Sequence, residues 1–431
     1  MAYLAAMKAQ SRLFLALLII TSFQSFATDT VRVMTYNLMY YRSSTSFCDY
    51  NVNPPTVKDS AMKAIVAYAQ PDIILCQEMS GQDTLGHSAL LNNALNVNGV
   101  TRWTKIPWQS NGSGIVGGIF YDKEKFQYMS HGIIKKGNDG LNLTRGIDWV
   151  HLYYRDSLHG YGKDTVYLRV FNAHLKAGSQ TSDENLRNKA AQALITYMYQ
   201  NPSGAHRIFG GDFNVKTSQE PCYQTLVNPA NTSLRFNDPI NKPGNWNNVY
   251  AHRYVHTQST RDIQTNGGCF SGGGLDDRLD QILVSDALTS GQAAFTVLPS
   301  TYLVIGNDGQ HFDDAINANG NSSVPANVLN ALYNLSDHLP VVVDIAVESP
   351  NVSLVDLKQW HCQILGSLTQ GFRIQWNKDM SGTTYQLSNG LGQVLEQGQL
   401  SGKQLDLPSQ QGLSYLIMAH PIHGRHVIKL L

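Results

Sequence analysis

Charge is scarce in this chain. Only 15% of its 431 residues are charged, and 32 basic residues balance 32 acidic ones. Without excess positive charge, tight sequence-independent clamping of nucleic acid is disfavoured, because that affinity comes from neutralising phosphates. A metal-dependent enzyme that touches a few phosphates is not excluded. Cysteine is scarce too. Cys48, Cys76, Cys222, Cys269 and Cys362 are the full set, and no two have the spacing of a zinc site. Cys76 lies in an apolar run and is expected as a buried thiol. Cys222 and Cys269 bracket a long polar region and are expected to pair if the protein is exported. Long apolar runs are lacking as well. The run from Leu13 to Phe23 falls short of the ~20 residues a membrane span needs. With Lys8 and Arg12 before it and Ser25-Phe26-Ala27 after it, residues 1–27 read as a signal peptide. No other stretch is long enough to span a membrane, so the mature chain is expected to carry no transmembrane segment.

What is present is a set of short apolar runs, each meeting a polar group at one end. Val31 to Asn37 alternates like a strand and closes on Asn37. Ala61 to Gln70 has helical spacing and stops at Pro71. Asp72 to Glu78 is the next strand, and ending in Gln-Glu is unusual for a strand. Gly114 to Tyr121 follows as a glycine-rich strand. Trp149–Arg155 and Val166–Leu175 read as a pair, the second ending at His174. Asp183 to Met198 reads as a helix capped by Ser182 or Asp183. Arg207 to Val215 then runs through two glycines into Asp212, Phe213 and Asn214. Two apart on a strand end, Asp212 and Asn214 face one side while Phe213 faces the core. The glycines let the backbone pass close to another group.

Two later strands carry their polar groups at the start. Asp280 opens the strand through Val284, and Asp337-His338 precede Val341–Val347. If these two run antiparallel to the four strands ending in Asn37, Glu78, His174 and Asp212/Asn214, every one of these groups lies along a single edge. Two stacked sheets with helices outside satisfy that geometry. Between them, residues 220–274 are polar, aromatic and without period, as expected of a segment that covers a site. Asp276 and Asp277 read as loop or salt-bridge residues, with a structural Ca²⁺ as the other reading. His256 and Arg261 are divided between contacting a phosphate and ordering the loop.

The set Thr35-Tyr36-Asn37, Gln77-Glu78, His174-Leu175, Gly211-Asp212-Phe213-Asn214, Arg278-Leu279-Asp280 and Ser336-Asp337-His338 resembles the endonuclease/exonuclease/phosphatase superfamily. The likeness covers roughly residues 30–348. It implies an α+β fold, a four-layer α/β/β/α sandwich, and hydrolysis of phosphate esters with Mg²⁺, or with Mn²⁺ or Ca²⁺ in its place. The resemblance assigns Glu78 as metal ligand, with Asn37 and Asp337 as ligands or neighbours. It assigns His338 as general base, Asp280 as the carboxylate that fixes its tautomer, and His174 as donor to the phosphate or the leaving oxygen. Asn214 would stabilise the pentacovalent phosphorus, and Asp212 would orient or help deprotonate the water. The His174-Leu175 pair looks more like the deoxyribonuclease, sphingomyelinase and 5-phosphatase branches than the abasic-site endonucleases. A nuclease acting on nucleic acid is the first expectation. A sphingomyelinase-type enzyme would want an exposed apolar hairpin, for which Trp103–Trp108 is the candidate, and a non-catalytic binding module would not require all these groups.

Pro350 marks a boundary. Residues 350–431 read as a small antiparallel β-sandwich of short strands: Phe372–Trp376, a hairpin over Tyr385–Leu395, Leu405–Leu407, Gly412–Met418 and His426–Leu431. This segment resembles the C-terminal sorting domain of the type IX secretion system, which implies that machinery as a partner and a secreted or surface location.

Overall fold

The computed structural model describes residues 29–109, 114–155, 167–202, 204–290, 295–347, 362–367, 371–389, 393–409, 414–420 and 424–430. The expected signal peptide lies outside them.

Two six-stranded sheets form the main body. One has the order β11 (Phe295–Val304), β12 (Val341–Val347), β1 (Asp29–Tyr41), β2 (Ile73–Ser80), β4 (Ile115–Asp122), β3 (Trp103–Lys105). The other has the order β5 (Phe126–Lys136), β6 (Asn142–Tyr154), β7 (Tyr167–His174), β8 (Arg207–Asp212), β10 (Asp280–Ser285), β9 (Phe236–Asn237). In the first, β1 pairs in parallel with β2 and antiparallel with β12. In the second, β7 is parallel to β8, and β10 runs antiparallel to β8. The orientations required for a common polar edge are therefore present.

The sheets stack through one largely apolar interface, with Gln77 and Asn172 hydrogen-bonded across it. Val31, Val33, Ile73 and Leu75 from the first meet Val150, Leu168, Val170, Ile208 and Ile282 from the second. Burying aliphatic side chains on both partners removes apolar area from water at roughly 25 cal/mol per Å². The outer face of the first sheet packs on the helices Pro55–Ala69 and Ala326–Leu335 through Met62, Ile65, Leu329 and Leu332. The outer face of the second packs on the helix Thr181–Gln200 through Ala190, Leu194 and Met198 against Phe171 and Phe209. This is the four-layer α/β/β/α arrangement. Gly210 and Gly211 are used as expected. A Cβ on Gly210 would sit 2.7 Å from Leu75 Cδ1 across the interface, and one on Gly211 would sit 1.9 Å from the Ala173 carbonyl oxygen.

Several local readings are corrected. The helix Thr181–Gln200 is capped by Gln180, whose side chain joins Asp183 in a capping box, rather than by Ser182 or Asp183. The polar stretch 220–274 contains the short helix Pro221–Val227 and three 3₁₀ turns. β5 (Phe126–Lys136) carries a mixed, half-exposed pattern with no clean alternation to read. Cys269 pairs with Cys48, and Cys222 is a free buried thiol packed under the helix Thr181–Gln200. Sequence separation gave no hint of this, because Cys48 and Cys269 meet only after the inserted polar stretch 220–274 folds back over β1. Cys76 is buried and free as expected. Trp103 lies in β3 (Trp103–Lys105) at 2% exposure and Ile106 is buried, so the proposed apolar hairpin belongs to the core.

The C-terminal segment forms two further antiparallel sheets, one of β13 (Cys362–Ser367), β14 (Gly371–Trp376) and β17 (Gln404–Leu407), the other in the order β16 (Val394–Gln399), β15 (Thr384–Asn389), β18 (Ser414–His420), β19 (Gly424–Leu430). They enclose Phe372, Ile374, Trp376, Leu387, Leu405 and Leu416. The expected hairpin is present as β15 (Thr384–Asn389) against β16 (Val394–Gln399).

A buried ion pair fastens the insertion to the second sheet's helix. Arg187 Nε donates to Glu220 Oε1 at 2.5 Å, and its Nη1 donates to the carbonyls of Lys176 and Gly178. Glu220→Ala leaves that guanidinium buried without a counter-charge. Urea unfolding should show a loss of about 3–5 kcal/mol; a change under about 1 kcal/mol would mean the pair is dispensable.

Candidate active site

β1 and β2 both break their ladders at the same level. The β1–β2 register shifts between Asn37 and Tyr41, and the β2–β4 register shifts between Cys76 and Met79. Met39, Tyr40 and Glu78 take positive φ values of 45°, 50° and 56°. Such backbone costs on the order of 1–3 kcal/mol per residue and collects at functional sites. Here it turns the Glu78 carboxylate toward β1. Glu78 Oε2 accepts the Tyr40 N–H at 3.2 Å, and Oε1 accepts Asn37 Nδ2 at 3.1 Å.

Asn37 also donates Nδ2 to Asp212 Oδ2 at 3.0 Å. Its Oδ1 accepts the Met39 N–H at 2.9 Å. That backbone donor fixes which end of the amide faces the carboxylates. The sequence expectation placed Asn37 with the metal ligands; the structure makes it a bridge that donates to Glu78 and Asp212.

The second sheet supplies a row of its own. His174 and Asp212 are register partners across β7 and β8, and Asp212 and Asp280 across β8 and β10. His174 Nε2 lies 3.5 Å from Asp212 Oδ2 and 3.8 Å from Glu78 Oε1. Asn214, at φ 53°, donates its N–H to Asp212 Oδ1 at 3.1 Å and its Nδ2 to the Leu175 carbonyl at 3.3 Å.

The loop before β12 closes the site. Ser336 Oγ donates to the Asn37 carbonyl at 2.7 Å and accepts the His338 N–H at 3.1 Å. His338 Nδ1 donates to Asp280 Oδ2 at 2.7 Å, and its Nε2 lies 3.9 Å from Asp212 Oδ2. Asp337 Oδ2 accepts the Ser271 N–H at 2.9 Å, while its buried Oδ1 has no hydrogen-bond partner among the described residues. Asn37, Glu78, His174, Asp212, Asn214, Asp280, Asp337 and His338 therefore lie along this one edge.

Electrostatics divide the groups. Burial raises the Glu78 pKa, and the nearby Asp337 charge raises it further against the Asn37 hydrogen bond. Burial also carries Asp212 from 3.8 to about 7, with the His338 charge pulling the other way. Burial by itself would lower His338, but Asp280 and Asp212 outweigh it and hold the pKa well above the ordinary histidine value. His174 is pushed well below that value by burial, with Arg145 and His338 adding to it. One histidine is thus held cationic and the other neutral.

Two donor sets compete for a cation. Asp212, Asp280 and His338 offer ligand atoms within 4.8 Å of one another. Yet His338 Nδ1 is committed to Asp280, and its Nε2 meets the Gln258 amide at 2.8 Å. No ring lone pair is left, so this trio reads as a proton-handling group. Glu78 and Asp337 are hard oxygen donors, the Asp337 charge adds to the rise of the Glu78 pKa, and Asp337 Oδ1 is a buried acceptor with no hydrogen-bond partner among the described residues. That pair fits a hard divalent ion that takes one or two carboxylates and keeps its waters.

Three contributors escaped the sequence reading. Arg145 on β6 (Asn142–Tyr154) donates to the Leu175 carbonyl at 2.8 Å, and its charge reaches Glu78, His174 and Tyr40. It stands ahead of the Trp149 run, and extending that strand backward would have reached it. Gln258 and Ser271 come from the insertion, where no periodicity marks them. Of the insertion residues weighed earlier, His256 and Arg261 are buried and order the loop: His256 Nδ1 meets the Leu275 carbonyl, and Arg261 donates to the Ser336 and Tyr333 carbonyls. Arg278 grips Asp238 in a two-pronged pair at 2.8 and 2.9 Å. Asp277 accepts from Asn247 Nδ2 at 2.8 Å, as befits a loop residue.

No family model and no curated protein matches the chain. Among solved structures, the human Nocturnin catalytic domain with bound sulfate is 17% identical over 74% of this chain and 98% of its own, at a TM-score of 0.43. An endonuclease/exonuclease/phosphatase family protein from Bacteroides thetaiotaomicron is 17% identical over 75% of this chain and 100% of its own, at 0.47. TDP2 from D. rerio, complexed with a single-strand DNA product, is 13% identical over 74% and 99%, at 0.45.

The raised pKa values set a direction. Asp212 and Glu78 keep protons in the folded protein that they shed when unfolded, so their contribution to stability falls as pH rises, for Asp212 from 3.8 through about 7 and for Glu78 through its own raised value. His338, with its pKa raised, adds stability below ~6.5 that is likewise lost as pH rises through its folded value. A divalent cation needs the carboxylates deprotonated and offsets this loss. Saturating Mg²⁺ should therefore raise the melting temperature by several degrees, about 3–5 °C, at pH 8 and by under ~1 °C at pH 5. Equal shifts at the two pH values would remove the cation from this cleft.

Proposed function

We propose that this protein is a divalent-metal-dependent phosphodiesterase, most readily a nuclease. The observation that carries the reading is the Asp280–His338 pair at 2.7 Å, set beside Asp212, Asn37, Glu78 and His174 at one sheet edge. Binding alone would not call for a buried carboxylate near neutral pKa next to an imidazolium.

Glu78 and Asp337 would hold the cation, which when bound neutralises charge on the phosphoryl oxygens and on the leaving oxygen. The side chains divide the rest. Asp212, raised to about 7, is poised to accept the proton of the attacking water. His338 was expected as the base, but Asp280 holds it cationic, so in this reading it faces the phosphoryl oxygens as a donor. The Gln258 amide serves either state of the ring: its nitrogen donates to a neutral Nε2, and turned over its oxygen accepts from the protonated one. His174, neutral and 3.5 Å from Asp212, is placed to donate to the phosphate or leaving oxygen. Asn37 keeps Glu78 and Asp212 together.

The alternative, a sphingomyelinase-type enzyme, loses its candidate inserting segment, because Trp103 and Ile106 are core residues. Purified protein should hydrolyse bis-p-nitrophenyl phosphate with Mg²⁺ and stop in EDTA. His338→Ala should lower kcat by about 10² or more. The pH profile of kcat/KM should be bell-shaped, and Asp280→Asn should move its alkaline limb down by about 1–3 pH units, because Asp280 raises the His338 pKa. Full turnover in the chelator, or an unmoved alkaline limb, would defeat the mechanism. DNA, RNA and sphingomyelin as parallel substrates resolve the class.

We also propose that residues 1–27 direct export and that residues 351–431 serve as a type IX sorting domain. Two small sheets with a core of their own support a separable module. Deleting 351–431 should hold the protein in the periplasm; unchanged secretion would reject the sorting role.

A further inference from the structure

Behind the catalytic loops lies a second cleft of about 480 Å³. Its lining includes Lys58, Arg261, Phe270, Tyr333 and the exposed Asn334, and no carboxylate. Three sources of positive charge converge on it. The first is the start of the helix Pro55–Ala69, which has no side-chain cap and no acidic residue in its first turn. The second is Lys58, fully buried, whose Nζ donates to the carbonyls of Leu38, Met39 and Leu335 at 2.8, 2.5 and 2.6 Å. The third is Arg261, 2% exposed, whose guanidinium is stacked between Phe270 and Tyr333 at 4.0 and 4.1 Å from the ring centroids.

Neither cation forms an ion pair among the described residues. Lys58 is held by carbonyls and lies over the Phe270 ring, its Nζ 5.2 Å from the centroid. Arg261 Nη1 donates to Thr260 Oγ1 and the Ser336 carbonyl, and Nη2 to the Tyr333 carbonyl, but its buried Nε has no partner. The carboxylate whose field reaches both is Asp337, which accepts from Ser271 on the catalytic side. A buried charge without a counter-ion is costly. Burial draws the Lys58 pKa down to about 7, a penalty that an anion in the cleft would relieve.

We propose that this cleft binds a phosphate-type oxyanion. A phosphate monoester carries about −1.5 to −2 at pH 7, which matches two cations and a helix start. The volume exceeds that of a bare phosphate, so free phosphate and the phosphate end of a nucleotide both fit the chemistry. The three N–H of Lys58 are committed to the carbonyls of Leu38, Met39 and Leu335, so Lys58 contributes charge, while the free Arg261 Nε–H would meet the anion; through these two side chains an occupant is linked to the strained turn of β1 and to the Asp337-His338 loop. The site is independent of the hydrolytic reading above and stands whether or not that reading does.

The test is calorimetric titration of the full chain in EDTA, where the acidic catalytic cleft disfavours anions. Inorganic phosphate should bind once per chain with Kd below roughly 1 mM. Arg261→Gln, and separately Asn334→Glu, which sets a carboxylate at the exposed rim without touching the floor, should each weaken it at least about tenfold. Should Arg261→Gln fail to fold, Asn334→Glu decides alone. A parallel titration with adenosine 5′-monophosphate assigns the source: tighter binding than phosphate marks a nucleotide end, equal binding marks the free ion, and either supports the site. No saturable binding up to ~10 mM, or binding that the folded variants leave unchanged, would overturn it.

Discussion

Four carboxylates share one cleft, and the rest of the structure is arranged to tolerate their repulsion. Glu78, Asp212, Asp280 and Asp337 are buried or nearly so. Like charges at such spacing repel strongly once water is removed. Each is given a donor of its own. Asp280 has His338, Asp337 has the Ser271 N–H, Glu78 has the Tyr40 N–H, and Asp212 has the Asn214 N–H. Asn37 then spans Glu78 and Asp212 with a single amide nitrogen. What these bonds do not offset remains as raised pKa values on Glu78 and Asp212.

The donors come at a backbone cost. Tyr40 reaches Glu78 only because Met39 and Tyr40 leave the strand conformation, and Glu78 meets them only because it does the same. The strained turn is braced from beneath. Lys58 gathers the Leu38 and Met39 carbonyls together with that of Leu335, and Ser336 ties the Asn37 carbonyl to the His338 amide. The two chain segments that supply most of the chemistry, some three hundred positions apart in sequence, are thereby held as one unit.

The edge was legible because its residues obey short-range rules. Asn37, His174 and Asp212 close apolar runs, and Asp280 and His338 open them, so strand direction alone brings them together. Glycines at 210 and 211 marked a close approach that the structure places against Leu75 and Ala173. What escaped was set by long-range contact. Arg145 sits on β6 ahead of the Trp149 run, where burial is mixed and the alternation is not yet established. Gln258 and Ser271 act through backbone and amide groups in a segment without period. The Cys48–Cys269 bond depends on where the insertion lands, which no local pattern records. Roles were harder to read than places: burial and a neighbouring carboxylate, not residue type, decide that His338 is held charged and Asp212 close to neutral pH.

The Cys48–Cys269 bond joins positions 221 residues apart. Asn37 lies before the first cysteine, and Asp280, Asp337 and His338 lie after the second. A single proteolytic nick anywhere between the two cysteines would therefore yield fragments still joined by sulfur, with both ends of the catalytic edge on the same covalent particle. In a protease-rich surrounding, such a chain would migrate as two pieces only after reduction.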